Sequence, residues 1–320
     1  MVTVIIPTFK RARFIERAVE SVVNQTYKDI EIIVVDDNNP DSDDRKEMEY
    51  KMEKYKNIPN FKYIKHEKNK NGAAARNTGL KVAKGEYVTF LDDDDYFAKE
   101  RIEKLVKFLD KNKQYQIAYT GGIIYKDEEH IKTFKIKENI DYKKELLLNH
   151  SFIGTGSNMF FKTKNLIEIG GFDERFIRNQ DLEVLIRFLN KNNIIGLNEP
   201  LVVKDNTDRI NQPNVENLLK TREFFLNNFK NLIDEYKDSN SIYFENYFNL
   251  LLYAITCNNK KYEKILKEKA EKYQKIYIKN YLILLKNKYL KRIKKGKKNI
   301  ELKLEEEKLL QEFIKNTKGN

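Results

Sequence analysis

Residues 87–95 read Tyr87-Val88-Thr89-Phe90-Leu91-Asp92-Asp93-Asp94-Asp95, so a largely apolar run leads directly into four adjacent aspartates. The run is short and rich in β-branched and aromatic side chains, which is typical of a buried strand. Four adjacent carboxylates repel one another, and a cation would relieve that repulsion. Ligands of open α/β sheets bind beyond the carboxyl ends of the strands. The stretch therefore predicts a strand that ends at a charged site.

Two more apolar runs, residues 2–6 and 30–35, are rich in β-branched side chains and predict buried parallel strands. Apolar residues at helical spacing lie between the strands, in residues 14–24, 43–56 and 73–83. Strands that alternate with helices form a sheet with right-handed crossovers. The first hundred residues therefore predict an α/β fold.

The pattern is less regular in the second hundred residues. A helix is predicted at residues 100–112, a strand at 117–125 and an amphipathic helix at 181–191. We therefore expect one domain with two halves, residues 1–100 and 101–214.

The pattern changes after Pro213, because the rest of the chain has no proline and only two glycines. Apolar and aromatic residues recur there at helical spacing, so residues 215–320 are predicted to form an α-helical C-terminal appendage. Residues 258–298 hold 15 lysines and one arginine against three glutamates, a charge of +13 compared with +12 for the whole chain. Such a basic segment attracts phosphate, on nucleic acid or on an anionic bilayer, or forms a well-solvated helical surface.

Cysteine usage and targeting signals point to the cytoplasm. Cys257 is the only cysteine, which excludes an internal disulfide and a cysteine-rich zinc site and fits a reducing compartment. Residues 1–7 lack the basic region and cleavage site of a signal peptide. No stretch approaches the roughly 18 apolar residues that span a bilayer. We expect a soluble or peripheral protein.

Two acidic clusters follow predicted strands. Asp36-Asp37 closes the second strand, where a carboxylate can bind a ribose or a base edge, although the residues that follow also favour a simple turn. In the run that begins at Asp92, hard oxygen ligands suit Mg²⁺ or Mn²⁺, particularly with phosphate oxygens completing the shell. A solvated acidic surface is the alternative for this run.

Two further candidates lie at predicted helix starts. Small residues in Gly72-Ala73-Ala74-Ala75 would let a ligand approach the backbone, and Arg76 could reach a phosphate. A small-residue helix packed on a sheet has the same pattern. Asp181 opens an amphipathic helix, where the helix dipole alone favours a carboxylate.

Taken together, these segments resemble the family 2 glycosyltransferases of the GT-A fold. The similar motifs occur in the family's order over residues 1–205, and they are Val4-Ile5-Ile6-Pro7-Thr8-Phe9, Ser21-Val22-Val23-Asn24-Gln25-Thr26, Val34-Val35-Asp36-Asp37-Asn38, Ala75-Arg76-Asn77-Thr78-Gly79, Phe90-Leu91-Asp92-Asp93-Asp94-Asp95 and Gly170-Gly171-Phe172-Asp173-Glu174. Residues beyond about 215 lie outside the resemblance.

The resemblance implies a Rossmann-like nucleotide-binding mixed sheet with flanking helices, in which residues 1–100 bind the nucleotide-sugar and 101–214 bind the acceptor. It assigns donor binding to Pro7, Thr8, Phe9, Asp37, Arg76, Asp92 and Asp93. It assigns the metal, Mn²⁺ or Mg²⁺, to Asp94 with Asp92 as the second ligand. It assigns the general base to Asp181, and the glutamate that precedes this aspartate in the family is here Gln180. Apart from the resemblance, Gly154-Thr155-Gly156 is expected to line the acceptor pocket, because small residues would admit a sugar.

The implied reaction is an inverting, metal-assisted transfer of a hexose or N-acetylhexosamine from a UDP-sugar to a glycan, with a β-linked product. The motifs around Asp37 and Arg76 are similar to those of bacterial O-antigen and capsule enzymes, some of which use acceptors linked to undecaprenyl pyrophosphate. The basic C-terminal segment suits such an acceptor because the cytoplasmic leaflet is anionic. We therefore expect a peripheral enzyme on the inner face of the cell membrane.

Other functions remain possible from the sequence. A nucleotidyltransferase or a retaining sugar transferase could use a similar sheet. A nucleic-acid binder could combine the basic segment with its interleaved tyrosines, but the acidic clusters would then have no role, so we expect no nucleic-acid partner. A non-catalytic relative would be expected to lack the metal or base aspartate, and both are present.

Overall fold

The computed structural model describes residues 1–126, 129–207, 214–277, 280 and 282. The chain divides into two compact units, one of residues 1–212 with 223–229 and the other of residues 213–222 with 230–320. The domain boundary at residue 214 stays a prediction. Of the basic segment 258–298, residues 278, 279, 281 and 283–298 lie outside the described residues.

The first half of the first unit alternates strands and helices, as predicted. Its elements are β1 (Val2–Thr8), α1 (Ala12–Val23), β2 (Ile30–Asp36), α2 (Asp43–Met52), β3 (Phe61–Lys65), α3 (Gly72–Val82) and β4 (Tyr87–Phe90). Strands β1 to β4 are parallel to their neighbours in the order β3-β2-β1-β4. Every residue of β1 is buried, as expected for a central strand covered on both faces. The predicted α/β sheet is confirmed.

The second half extends this sheet with strands of mixed direction. Its elements are β5 (Tyr96–Phe97), α4 (Arg101–Lys111), β6 (Ile117–Lys126), β7 (Glu129–Phe134), α5 (Tyr142–Leu147), β8 (Phe160–Lys162), α6 (Thr163–Glu168), α7 (Gln180–Phe188) and β9 (Ile194–Asp205). Strand β8 is antiparallel to β4 and β6, and β9 runs parallel to β6. The order over the described residues is β3-β2-β1-β4-β8-β6-β9-β5, with β7 paired to β6.

Strand register brings the predicted site residues to one edge of the sheet. Thr8 at the end of β1 pairs with Asp36 at the end of β2. On the other side of β1, Ile5 pairs with Phe90, and the Leu91 N–H donates to the Ile5 carbonyl at 3.0 Å. The residues that follow β1, β2 and β4 therefore meet at the carboxyl ends of these strands.

Helix α3 lies unusually close to the sheet because Gly79 has no side chain. A Cβ atom at Gly79 would lie 2.6 Å from Cγ2 of Ile5, which is closer than two carbons can approach. Three buried alanines, at residues 73–75, line the same helix. This close packing places Arg76, near the start of α3, at the strand ends.

The described residues of the second unit are mainly helical, as predicted for the C-terminal region. The helices after β9 are α8 (Val215–Asn228), α9 (Lys230–Asp234), α10 (Ser239–Thr256) and α11 (Lys260–Glu271), and residues 223–229 belong to the first unit. The Tyr243 ring of α10 stacks on Tyr273 at a centroid distance of 4.7 Å. Buried Arg222 donates to Oδ1 of Asn246 at 2.6 Å. Among the described residues, no helix combines the length and the apolar character that crossing a membrane requires.

Candidate active site

A cavity of about 450 Å³ opens at the carboxyl ends of β1 and β2 and at the start of α3. Every residue that the resemblance assigns to the donor lines this cavity, namely Pro7, Thr8, Phe9, Asp37, Arg76, Asp92 and Asp93. These residues come from four separate segments of the chain. Only the strand order places them together.

Asp37 also holds the loop that leads into α3. Its buried carboxylate accepts hydrogen bonds from the backbone N–H groups of Lys70 at 2.8 Å and Asn71 at 3.0 Å. It further accepts from Nδ2 of Asn69 at 2.8 Å and lies 2.7 Å from Nδ1 of His66. Asp37 therefore shapes the cavity wall by fixing the backbone of residues 69–71.

The adjacent aspartate, Asp36, has a different role. Its carboxylate is fully buried and pairs with Nε of Arg45 at 2.8 Å, and it accepts a hydrogen bond from the Tyr63 hydroxyl. It also accepts from the Asn38 N–H at 2.9 Å. Of the two aspartates, only Asp37 lines the cavity.

Within the acidic run, Asp93 and Asp95 are buried. The Asp93 carboxylate accepts a hydrogen bond from the Thr8 hydroxyl at 2.7 Å, and burial, reinforced by the charge of Asp94, raises its pKa to about 8. Asp95 accepts from the hydroxyls of Thr155 and Ser157, both at 2.7 Å, and burial raises its pKa as well. Both buried carboxylates anchor the acidic loop, and of the two only Asp93 also lines the first cavity.

The other two aspartates of the run are partly exposed and each meets an arginine. Asp92 pairs with Nη2 of Arg76 at 2.6 Å, and its side chain is 31% exposed. Asp94 pairs with Nη1 of Arg11, and its side chain is 19% exposed. The acidic run is thus partly neutralised by guanidinium groups, which the sequence pattern did not indicate.

The donor atoms of this loop fit a divalent ion that also binds phosphate. In the described part of the chain, no three His, Cys, Asp or Glu side chains are grouped so that they could hold a metal by themselves. Mg²⁺ is usually bound through one or two carboxylates together with substrate phosphates rather than by an all-protein cage. The accessible carboxylates of Asp92 and Asp94 match that requirement.

A second cavity, of about 310 Å³, lies beside the first and is lined by Asp181. Arg76, Asp92, Ile177 and Gln180 line both cavities. Burial raises the pKa of Asp181, while the Leu182 N–H and the charge of Arg76 act in the opposite direction. Asp181 is only partly exposed, its pKa is raised, and it lies in the cavity next to the predicted donor cavity.

Gln180 and Arg76 line both cavities and are hydrogen-bonded to each other. Nη1 of Arg76 donates to Oε1 of Gln180 at 2.8 Å, and Nη2 of the same guanidinium binds Asp92. The amide oxygen thus accepts the hydrogen bond that a glutamate could accept, but without its negative charge. The difference from the family pattern leaves Arg76 held by one carboxylate and one amide.

The Gly-rich stretch lies beside Asp181. Gly154, Thr155 and Gly156 line the same cavity as Asp181. A Cβ atom at Gly156 would lie 3.7 Å from Oδ2 of Asp92 and 4.0 Å from Cβ of Asp181. Glycine at this position therefore keeps open the space between the two carboxylates.

Several lining residues were not identified from the sequence. Arg11, Asn69 and Asn71 line the first cavity, and exposed Ile177 lies at the junction of both. Isolated basic or amide residues in loops have no periodicity or spacing that marks them. For Arg11 the only available signal was its position after β1, and for Asn69 and Asn71 it was their position before α3.

Comparison with known proteins identifies a family. Residues 3–170 match the model of "Glycosyl transferase family 2". An uncharacterized glycosyltransferase of Rickettsia felis is 32% identical over 82% of this chain and 42% of its own length. The GalNAc(5)-diNAcBac-PP-undecaprenol beta-1,3-glucosyltransferase of Campylobacter jejuni is 34% identical over 56% of each chain. The chain thus spans about half the length of these relatives.

The fold is similar to that of a solved structure. The crystal structure of S. aureus TarS 1-349 in complex with UDP-GlcNAc superposes with a TM-score of 0.60, covering 88% of this chain and 90% of that one at 19% identity. This likeness confirms the GT-A fold predicted from the motifs.

Proposed function

Because the chain belongs to glycosyl transferase family 2, we propose that it transfers a hexose or N-acetylhexosamine from a UDP-sugar to a glycan hydroxyl with inversion. One observation carries this proposal. The seven predicted donor residues line one cavity, and Asp181 lines a second cavity that shares Arg76 and Asp92 with the first. A donor in the first cavity and an acceptor in the second would meet at this shared wall.

In the proposed reaction, Asp181 accepts the proton of the attacking hydroxyl. The hydroxyl forms its bond to the anomeric carbon as the bond to the diphosphate breaks on the opposite face, so the configuration inverts and an α-linked donor yields a β-linked product. The raised pKa of Asp181 brings its basicity closer to neutral pH, which favours general-base catalysis. Holding both substrates against one wall removes much of the entropic barrier.

Negative charge develops on the departing diphosphate, and the site has groups that can stabilise it. Asp94, with Asp92 as the second ligand, would hold Mn²⁺ or Mg²⁺, and that ion would supply a counter-charge for the diphosphate. Arg76 lines both cavities and adds a guanidinium that can also stabilise this charge. Asp92 orients Arg76 through their ion pair.

The donor and the stereochemistry can be tested directly. Purified protein would be incubated with Mn²⁺, a saccharide acceptor and a panel of UDP- and GDP-sugars, and nucleotide release and product linkage would be measured. We expect release of UDP with one donor and a β-linked product by NMR. A product that retains the donor's configuration would contradict a single displacement with Asp181 as the base.

We further propose that the acceptor is a saccharide on undecaprenyl pyrophosphate, as in O-antigen or capsule synthesis. The name of the Campylobacter relative, which describes an undecaprenol-linked acceptor, supports this substrate class. So does the +13 charge of residues 258–298, because an enzyme with a lipid-linked substrate benefits from attraction to an anionic leaflet.

The membrane contact predicts that the full-length protein co-sediments with anionic vesicles but not with neutral ones, and less so at high salt. Replacing Lys294, Lys295 and Lys297 with Gln should weaken this binding at least about tenfold, since each basic residue near such a surface contributes about 1 kcal/mol. The matched control replaces three exposed lysines of the first unit with Gln, namely Lys46, Lys56 and Lys107. If both variants lose vesicle binding equally, the binding reflects total charge and the proposed role of the basic segment is wrong.

The space at Gly156 predicts a selective loss of acceptor use. Gly156→Ala should be tolerated, because its Cβ would make ordinary contacts of 3.7–4.0 Å. Gly156→Leu should place further atoms between Asp92 and Asp181 and lower kcat/KM for the acceptor by about 100-fold, the scale of a misplaced substrate. UDP binding, measured by calorimetry, should change little in both. Loss of UDP binding in Gly156→Leu would show that this space belongs to the donor.

A further inference from the structure

Arg11 contacts the acidic loop from the end of β1. Its Nη1 atom pairs with Oδ2 of Asp94 and lies 3.6 Å from Oδ1 of Asp93. Because an arginine guanidinium stays protonated in proteins, Arg11 places a permanent cation on the carboxylate to which we assign the metal.

This contact is not needed to begin α1 or to hold the loop. Arg11 is the N-cap residue of α1, yet its side chain makes no capping hydrogen bond and is 43% exposed. The acidic loop has other anchors, including the hydrogen bond from Nη2 of Arg17 to the Asp94 carbonyl at 2.7 Å. Arg11 also lines the donor cavity. Its side chain can leave Asp94 and remain within the site.

We propose that Arg11 is a resident counter-ion that competes with the divalent metal for Asp94 and moves to the donor diphosphate when the nucleotide binds. This inference rests on the proposed role of Asp94 as the metal ligand. It adds a donor-binding residue and a coupling between metal and nucleotide binding that the motifs do not contain.

The competition follows from charge. A guanidinium and a divalent cation that share one carboxylate repel each other, so the metal binds weakly while Arg11 remains in place. A nucleoside diphosphate adds negative charge to the same cavity, which favours the metal and gives Arg11 another partner. Metal and nucleotide should therefore increase each other's affinity by the same factor. Without the nucleotide, Arg11 limits the binding of free metal.

The experiment measures Mn²⁺ binding to the full-length protein by electron paramagnetic resonance of the free ion, with and without UDP. The wild type should bind Mn²⁺ weakly alone and more tightly with UDP. Arg11→Ala should tighten nucleotide-free binding about tenfold, the order expected when one like charge next to a divalent ion is removed near a protein surface. It should also reduce the gain in affinity that UDP produces. Arg11→Lys keeps the charge and should behave like the wild type.

Arg13→Ala is the matched control, because Arg13 is an exposed basic residue two positions away that does not line the donor cavity. It should leave Mn²⁺ binding unchanged, and thermal melting would verify that every variant is folded. If the wild type binds Mn²⁺ with UDP but Arg11→Ala gains no nucleotide-free affinity, or if Arg13→Ala gains as much, the counter-ion role is wrong and the metal role of Asp94 stands. If the wild type binds no Mn²⁺ even with UDP, both fail.

Discussion

Replacement of Asp181 with Asn is expected to lower kcat by about 10²–10⁴-fold, the usual contribution of a general base. The variant keeps the shape of the side chain but cannot accept the proton of the acceptor hydroxyl. Asp181 lines the second cavity and not the first, so the Kd for UDP should stay close to that of the wild type. Steady-state transfer assays and calorimetry with UDP measure the two quantities separately.

The pH dependence gives an independent check of the same role. Asp181 acts as a base only when deprotonated, and burial raises its pKa. The rate should therefore fall as the pH decreases through this raised value, so the acidic limb lies at a higher pH than the roughly 4 of an ordinary aspartate. The residual activity of Asp181→Asn should lack that limb.

Asp173→Asn is the matched control for Asp181→Asn. Asp173 lines neither of these cavities, and its ion pair with Arg175 lowers its pKa, which makes it a poor base. This variant should retain near-normal turnover. Near-normal turnover of Asp181→Asn would instead place the base elsewhere, and a large loss in Asp173→Asn would direct the search to the segment of Asp173 and Glu174.

Removal of the metal is expected to abolish transfer, and added Mn²⁺ or Mg²⁺ should restore it. Asp94→Ala should lower kcat by about 10²–10³-fold, the scale of losing one group that stabilises charge in the transition state. The variant should remain folded, because Asp94 is partly exposed and its removal relieves repulsion among neighbouring carboxylates. Nucleotide release with and without EDTA, together with thermal melting, tests both statements.

Asp41→Ala provides the control, since Asp41 is an exposed turn residue outside both cavities. Its activity and its response to EDTA should match those of the wild type. Full wild-type activity in excess EDTA would exclude the metal-assisted mechanism. A fully active Asp94→Ala that still needs metal would transfer the ligand role to Asp92.

The strands with uniform patterns were the ones that sequence reasoning found. The predicted strands at residues 2–6, 30–35 and 87–91 match β1, β2 and β4 within two residues at each end. Strand β9 was missed because polar residues and Pro200 interrupt it, and its register with β6 shifts next to Gly121. Strands of two or three residues, such as β5 and β8, are too short to show any period.

The sequence alone determined the α/β sheet and the family resemblance, because buried parallel strands must be continuously apolar and the motifs directly follow them. The tertiary structure decided how each carboxylate is used. Asp36 and Asp37, or Asp92 through Asp95, are equivalent in sequence, yet burial and nearby arginines give each a different environment. Arg76 meets Gln180 across 104 positions, and Arg11 meets Asp94 across 83. Such pairs depend on strand order and helix packing, which no local pattern contains.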